Sequence, residues 1–269
     1  MKNSLINCGK IWNVLSRRDF IKLSGSMFIT GLFNLYLHPV LANIDLTPEF
    51  WRGRSDLPLI AITYDDCYLI KKLQELERLL EEYPDLKITF FPVGEALLNT
   101  DIKDPGIWKR LYQKGHEIGY HTFNHVNPGV RSNTGMVEDY DKWYEACIKV
   151  VGDEPDIHFA RPPGGSLSAS FLYMCNERDL VAAMWSVSWG SSLEEAKKTM
   201  SNIQNGDIIL MHISTVHLDI SYVAFPYIKN IGLRSVTMTD LFAATLEKGM
   251  GSSSCTYPVN HYQFQTCSE

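Results

Sequence analysis

Short runs of consecutive apolar residues alternate along the chain with longer stretches in which apolar residues recur every three or four positions. The short runs are Leu59 to Thr63, Ile88 to Phe91, Glu117 to Tyr120, Ile157 to Ala160, Val181 to Met184, Ile208 to Met211 and Ser235 to Thr237. Each has the length and composition of a buried strand. Between them the spacing predicts helices over Leu69 to Tyr83, Ile107 to Lys114 and Val137 to Val151, and further helices over Leu193 to Asn205, Ser221 to Asn230 and Thr239 to Lys248. Pro84 stops the first, and Gly115 and Gly152 stop the next two. Strands alternating with helices predict an α/β domain whose parallel sheet is covered by helices. Seven such units in one domain, placed at residues 43–248, favour a TIM-like (β/α)7 barrel, with an open doubly wound sheet as the alternative.

The two ends of the chain break this pattern. Ser16-Arg17-Arg18-Asp19-Phe20-Ile21-Lys22 has the form of a twin-arginine export signal. The apolar stretch after it is interrupted by Gly25, Gly31, Asn34 and Pro39, which makes it a poor spanning helix. Residues 1–42 are therefore expected to be a signal peptide cut after Ala42, with an uncleaved membrane anchor as the alternative. The remaining chain would lie in the periplasm or outside the cell. Residues 249–269 form a polar tail in which Cys255 and Cys267 are placed to close a disulfide. Cys147 and Cys175 read instead as small buried hydrophobes.

Removing residues 1–42 takes away five Lys/Arg and one Asp, which moves the formal charge from −6 to −10. A chain this acidic lacks the basic footprint of a nucleic-acid binder, and it has no basic strip for an anionic membrane.

In a parallel barrel, chemistry belongs just past the carboxyl ends of the strands. Four polar clusters fall there. Asp65 and Asp66 follow the first strand, where adjacent side chains point different ways, so one can bind a metal while the other faces a substrate. His121 and His125 are four apart, a spacing that on a helical turn puts both imidazoles on one face to chelate an ion. With one carboxylate they would make a site open to water, as a hydrolytic metal needs. Arg161-Pro162-Pro163-Gly164-Gly165 is a rigid turn headed by a permanent charge that can hold a carboxylate ionised. His212 ends the strand 208–211 and is the natural proton donor near neutral pH. Each cluster alone also has a plain reading: a helix cap, two solvated histidines, a salt-bridged surface turn, and a histidine bonded at a strand end.

Together, and in this order, they resemble the polysaccharide deacetylase family, also called the NodB-homology domain or carbohydrate esterase family 4. Thr63-Tyr64-Asp65-Asp66 is similar to that family's Thr-Phe-Asp-Asp-Gly, and His121 to His125 matches His-(Ser/Thr)-x-x-His. Gly115 to Gly119 resembles the lead-in to that second motif. Arg161 to Gly165 matches Arg-x-Pro-x-Gly, and Leu210-Met211-His212 matches Leu-x-His. The resemblance spans roughly residues 55–248 and implies a distorted barrel. It also implies a hydrolase acting on the N-acetyl or O-acetyl groups of a polysaccharide or oligosaccharide. Carried over, Asp66, His121 and His125 would hold one divalent metal ion, usually zinc, with cobalt or another divalent ion as alternatives. Asp65 would be the base for the attacking water and Arg161 its orienting partner. His212 would be the acid, Leu210 would take the acetyl methyl, and the Gly164 N–H would help hold the oxyanion.

Three positions depart from the family pattern. Cys67 stands where the first motif has Gly, and Gly164 stands where the third commonly has an aromatic. Trp185-Ser186-Val187-Ser188-Trp189 replaces the usual Trp-x-Val-Asp, so Ser188 sits where an acid that tunes the histidine is expected. Asp207 and Asp219 are candidates to replace that acid. A sugar-binding homologue with weak or no turnover is the competing reading. A relative acting on another carbon–nitrogen bond, such as a cyclic amide, fits the export signal poorly. Trp185, Trp189, Tyr222, Phe225 and Tyr227 are candidates either for stacking on sugar rings or for the barrel core.

Overall fold

The computed structural model of the protein describes residues 47–247. The proposed signal peptide and the Cys255–Cys267 pair lie outside the described residues. Nine strands alternate with eight α-helices within that span. The strands are β1 (Glu49–Phe50), β2 (Leu59–Asp66), β3 (Ile88–Pro92), β4 (Glu117–Ile118), β5 (Phe159–Ala160), β6 (Val181–Ala183), β7 (Val187–Ser188), β8 (Ile208–His212) and β9 (Arg234–Ser235). The helices are α1 (Ile70–Glu81), α2 (Gly94–Lys103), α3 (Ile107–Gln113), α4 (Asn133–Val151), α5 (Ala169–Glu177), α6 (Leu193–Met200), α7 (Thr215–Asn230) and α8 (Met238–Glu247). None of these helices is long and apolar enough to cross a membrane.

All strand pairs are parallel. One sheet runs β4-β3-β2-β8-β7 and the other β1-β6-β5. Two features join them into a distorted (β/α)7 barrel. Tyr120, just past β4, bridges to Ala160 of β5. The sixth strand is split, so that β6 pairs with β5 while β7, four residues on, pairs with β8. The amino-terminal rim holds one further strand off this path. There β9 pairs with Leu59 and Ile60 of β2, and its Ser235 carbonyl accepts the Lys87 N–H ahead of β3, so it wedges between the two strand entries.

Alternation along the strands sorts side chains between two cores. Ile60, Ile62 and Tyr64 of β2 join the large cluster under the helices, whereas Ala61 joins a smaller cluster with Phe91, Phe159 and Ile208. Side chains in a strand alternate faces, so this smaller cluster is the barrel lumen. The row continues upward. Thr63 and Asp65 share the face of Ala61, Arg161 shares that of Phe159, and Leu210 and His212 share that of Ile208. Period-2 alternation on three strands thus brings an acid, a guanidinium and an imidazole to the lumen mouth.

The seven predicted strands are all present, and β1 and β7 are additional. Both are two-residue strands without a periodic run of their own. Helices α2 and α5 were not predicted, and α7 begins six residues earlier than its pattern suggested, at a Ser214 cap that accepts the His217 N–H. Ser168 caps α5 the same way through Phe171. Cys147 and Cys175 are buried, as expected of small hydrophobes.

Candidate active site

At the end of β2 the chain turns sharply, with Asp66 and Cys67 both in the left-handed region at φ 67 and 66°. Thr122 and His125 share that conformation at φ 63 and 58°. Four of the five positive-φ non-glycine residues described are therefore in these two segments, a concentration of backbone strain of the kind found at functional sites. The segment 121–125 is not helical, contrary to the helical turn inferred from its spacing. Its two imidazoles meet through the left-handed residues instead, with ring centroids 5.3 Å apart.

Asp66 Oδ1 lies 3.1 Å from His125 Nε2 and 3.4 Å from His121 Nε2. One ligand atom from each of the three lies within 4.8 Å of the others. His121 Nδ1 is 2.8 Å from the Arg161 carbonyl. A carbonyl only accepts, so Nδ1 carries the proton and the Nε2 lone pair faces the carboxylate. The Asp66 oxygen is itself buried without a hydrogen-bond donor. Lone pairs converging from a carboxylate and two imidazoles fit a divalent cation between them. Burial pushes the Asp66 carboxyl pKa up, but His121 and His125, with His212 further off, outweigh it and hold the group below its usual value.

Asp65 points the other way, into the lumen. Its Oδ1 accepts from Arg161 Nη1 at 2.8 Å, and its Oδ2 lies 3.9 Å from His121 Nε2. Arg161 is fully buried and also donates to Thr63 Oγ1, the Ala183 carbonyl and the Met184 carbonyl. Its guanidinium lies over the Phe91 ring at 4.1 Å. The carboxylate is thus fixed by a cation that is itself held on several sides.

These residues open into a cavity of about 260 Å³ lined by Asp65, Asp66, His121, His125, Pro162, Gly164, Trp185, Leu210 and His212. All eight residues singled out in the sequence meet there or, for Arg161, directly beneath. Of the five aromatics considered, only Trp185 lines the cavity. Trp189 and Phe225 are fully buried, Tyr227 packs against the core, and Tyr222 is exposed beside Glu75. The Cys67 thiol is buried and donates to the Tyr64 and Asp65 carbonyls, so it is not aimed at the ligand cluster. Burial, then the two nearby carboxylates, push its pKa well up.

The suggestion that Asp207 replaces the acid missing at Ser188 fails. Asp207 precedes β8 at its opposite end, where it binds Arg52, Ser186 and the Gln204 N–H. Asp219 is exposed on α7. Two supporting residues escaped the sequence reading. Asp139 on α4 accepts from Tyr120 Oη and the Phe123 N–H at 2.7 Å each, and pairs with Arg131 at 3.0 Å, which braces the 121–125 segment. His217 on α7 stacks on His212 with ring centroids 5.5 Å apart and planes 17° from parallel. Neither belongs to a short motif, so only the fold brings them in.

The Polysaccharide deacetylase family profile matches residues 52–183. A peptidoglycan-N-acetylglucosamine deacetylase of Bacillus cereus is 30% identical over 199 residues, 70% of this chain and 70% of that protein. YlxY of Bacillus subtilis strain 168 is 27% identical over 206 residues, 74% of this chain, and the match spans only 62% of YlxY. Among solved structures, the Bc1960 peptidoglycan N-acetylglucosamine deacetylase superposes with a TM-score of 0.65 at 26% identity, over 73% of this chain and 94% of that one. A CE4 family pseudoenzyme from Bacillus anthracis shares the fold, with a TM-score of 0.66 at 19% identity over 74% of this chain and 70% of that one. With its profile match, its 30% identical relative and the motif residues gathered at one barrel mouth, the chain belongs to the polysaccharide deacetylase family.

Proposed function

We propose that this protein is an exported, metal-dependent deacetylase that removes N-acetyl groups from an amino-sugar polymer of the cell envelope. The observation that carries the reading is the convergence of Asp66, His121 and His125 beside the Asp65–Arg161 pair and His212 in one cavity. Relatives named for peptidoglycan N-acetylglucosamine favour an N-acetyl substrate over an O-acetyl one. The Arg17-Arg18 signature supports export to the compartment where such polymers lie.

Asp66, His121 and His125 would hold the ion, with zinc the first choice for two imidazoles and one carboxylate and cobalt an alternative. Such an ion supplies Lewis-acid polarisation of the acetyl carbonyl and lowers the pKa of water. The protein's own groups do the rest. Asp65, held in place by Arg161 through Oδ1, takes the proton of the attacking water at Oδ2. The Gly164 N–H donates to the carbonyl oxygen as negative charge develops there. Leu210 and Trp185 wall the cavity around the acetyl group and sugar. His212, on the neighbouring strand β8 in register with Asp65, gives its proton to the departing nitrogen.

The competing reading, a sugar-binding homologue with weak or no turnover, draws only on Ser188. Every other motif group is present and brought together. The test is acetate release from peptidoglycan, acetylated chitooligosaccharide and acetyl-xylan by residues 43–269. Acetate from the first two, and little from the third, is expected. Release from acetyl-xylan alone would move the substrate to O-acetyl esters, and no release from any would favour the binding protein.

A further inference from the structure

His212 ends β8 and lines the cavity, and among the described residues no carboxylate forms an ion pair with it. Its neighbour is another imidazole. The His217 ring lies nearly parallel to the His212 ring, 17° apart, and both of its nitrogens are engaged. Nδ1 accepts the backbone N–H of His212 at 2.9 Å, and Nε2 lies 3.0 Å from the Gly190 carbonyl. An Nδ1 that accepts cannot carry a proton, so the proton is on Nε2 and is donated to Gly190. The ring is therefore neutral, in one tautomer, and locked at both ends.

The residue that carries this ring is itself braced. The His217 N–H donates to Ser214 Oγ at the start of α7. Its carbonyl accepts from Ser221 Oγ at 2.6 Å, and Ser221 is in turn 2.5 Å from Tyr64 Oη on β2. Gly190 lies in the left-handed region at φ 73°, two residues past Ser188. One imidazole thus ties together the end of β8, the start of α7 and the turn that follows β7.

We infer that His217 is a positioning residue for the proton donor, a neutral buttress that sets the ring plane of His212 and pins the 188–190 turn beside it. A second proton on His217 would break its bond to the His212 N–H, so any positive charge on the stacked pair is carried by His212. Burial, reinforced by the neighbouring His212, keeps the His217 pKa below its usual value, in keeping with a neutral ring. The inference rests on the reading of His212 as the acid, and its test separates the two.

The test compares His217→Ala, His217→Asn and His217→Phe in the full chain. Asn can restore an acceptor near the Nδ1 position, whereas Phe keeps a ring and loses both hydrogen bonds. With histidine-labelled protein, NMR should find a slowly exchanging Nε2–H on His217 in the wild type. The His212 ring signals should broaden in the Ala and Phe variants and stay sharp in Asn. With acetylated chitooligosaccharide and added zinc, kcat should fall on the order of 10-fold or more in Ala and Phe and recover in part in Asn, with KM unchanged, because small misplacements of a reacting group are costly. His212 signals that stay sharp in the Ala variant, or a His217 protonated on Nδ1, would overturn the inference. An inactive wild type would sink the deacetylase reading instead, and the NMR comparison would still decide the positioning role.

Discussion

Arg161 and Asp65 form a buried ion pair, Nη1 to Oδ1 at 2.8 Å, with the two side chains 0% and 5% exposed. Removing one partner of such a pair leaves the other charge buried without compensation, and that typically costs about 3–5 kcal/mol. Arg161→Met is expected to lower stability to urea by that order and to abolish turnover. Arg161→Lys keeps the charge but not the fork that also reaches Thr63 and the 183 and 184 carbonyls, so it should keep more stability than activity. Urea midpoints and acetate release measured on both variants check this. Equal stability in the Met variant would mean the pair does not hold Asp65 as described.

The ligand cluster predicts stabilisation by metal. An ion that binds only the folded chain adds about 2.7 kcal/mol at a hundred times its dissociation constant. Scanning calorimetry should show the unfolding temperature rise with zinc and fall back with chelator. Asp66→Asn, His121→Ala and His125→Ala should each lose most of the rise. A shift that survives all three substitutions would place the ion elsewhere.

His116 predicts an acid limb to stability. Its ring is 4% exposed, and its Nδ1 accepts the Ile88 N–H at 3.3 Å. Burial, helped by Lys87 and Lys114, pulls its pKa down from 6.5 to about 4. The unfolded chain therefore takes up a proton that the folded chain refuses. The contribution is complete above pH 6.5 and is lost as the pH falls through about 4, amounting to an order of 3 kcal/mol. His116→Asn keeps an acceptor but does not titrate there. Its stability should fall less steeply than wild type between pH 6.5 and 4, as measured by denaturant unfolding at several pH values.

Gly164 and Gly165 separate backbone strain from crowding. Both lie at positive φ, 61 and 71°. A Cβ on Gly164 meets nothing within 4 Å, whereas one on Gly165 would sit 2.9 Å from Trp185 Cη2. Gly164→Ala should cost only the left-handed term of about 1–2 kcal/mol. Gly165→Ala should cost more and, by pushing Trp185, raise KM. Similar KM values in the two variants would remove Trp185 from the cavity wall.

How much of this was legible in the sequence depends on whether a residue's role is local. The strands with long apolar runs, β2, β3 and β8, were readable, as were the four motif clusters at strand ends. Arg161 could be matched to a carboxylate because the turn is rigid and its charge permanent. The two-residue strands β1 and β7 were not readable, because they are fixed by pairing with β6 and β8 and have no period of their own. Asp207 is a candidate acid in the sequence, but it precedes β8, and the five residues of that strand carry the chain from one end of the barrel to the other before His212. Asp139 and His217 are the converse, residues on helices that only tertiary packing brings to the site.

The most direct test of the central claim is acetate release from acetylated chitooligosaccharide by metal-stripped protein as zinc is added back in known amounts. The account predicts no release without metal, a linear rise to one equivalent per chain, and no recovery in Asp65→Asn even though it binds its full equivalent. Release that is untouched by stripping, or full activity in Asp65→Asn, would contradict it.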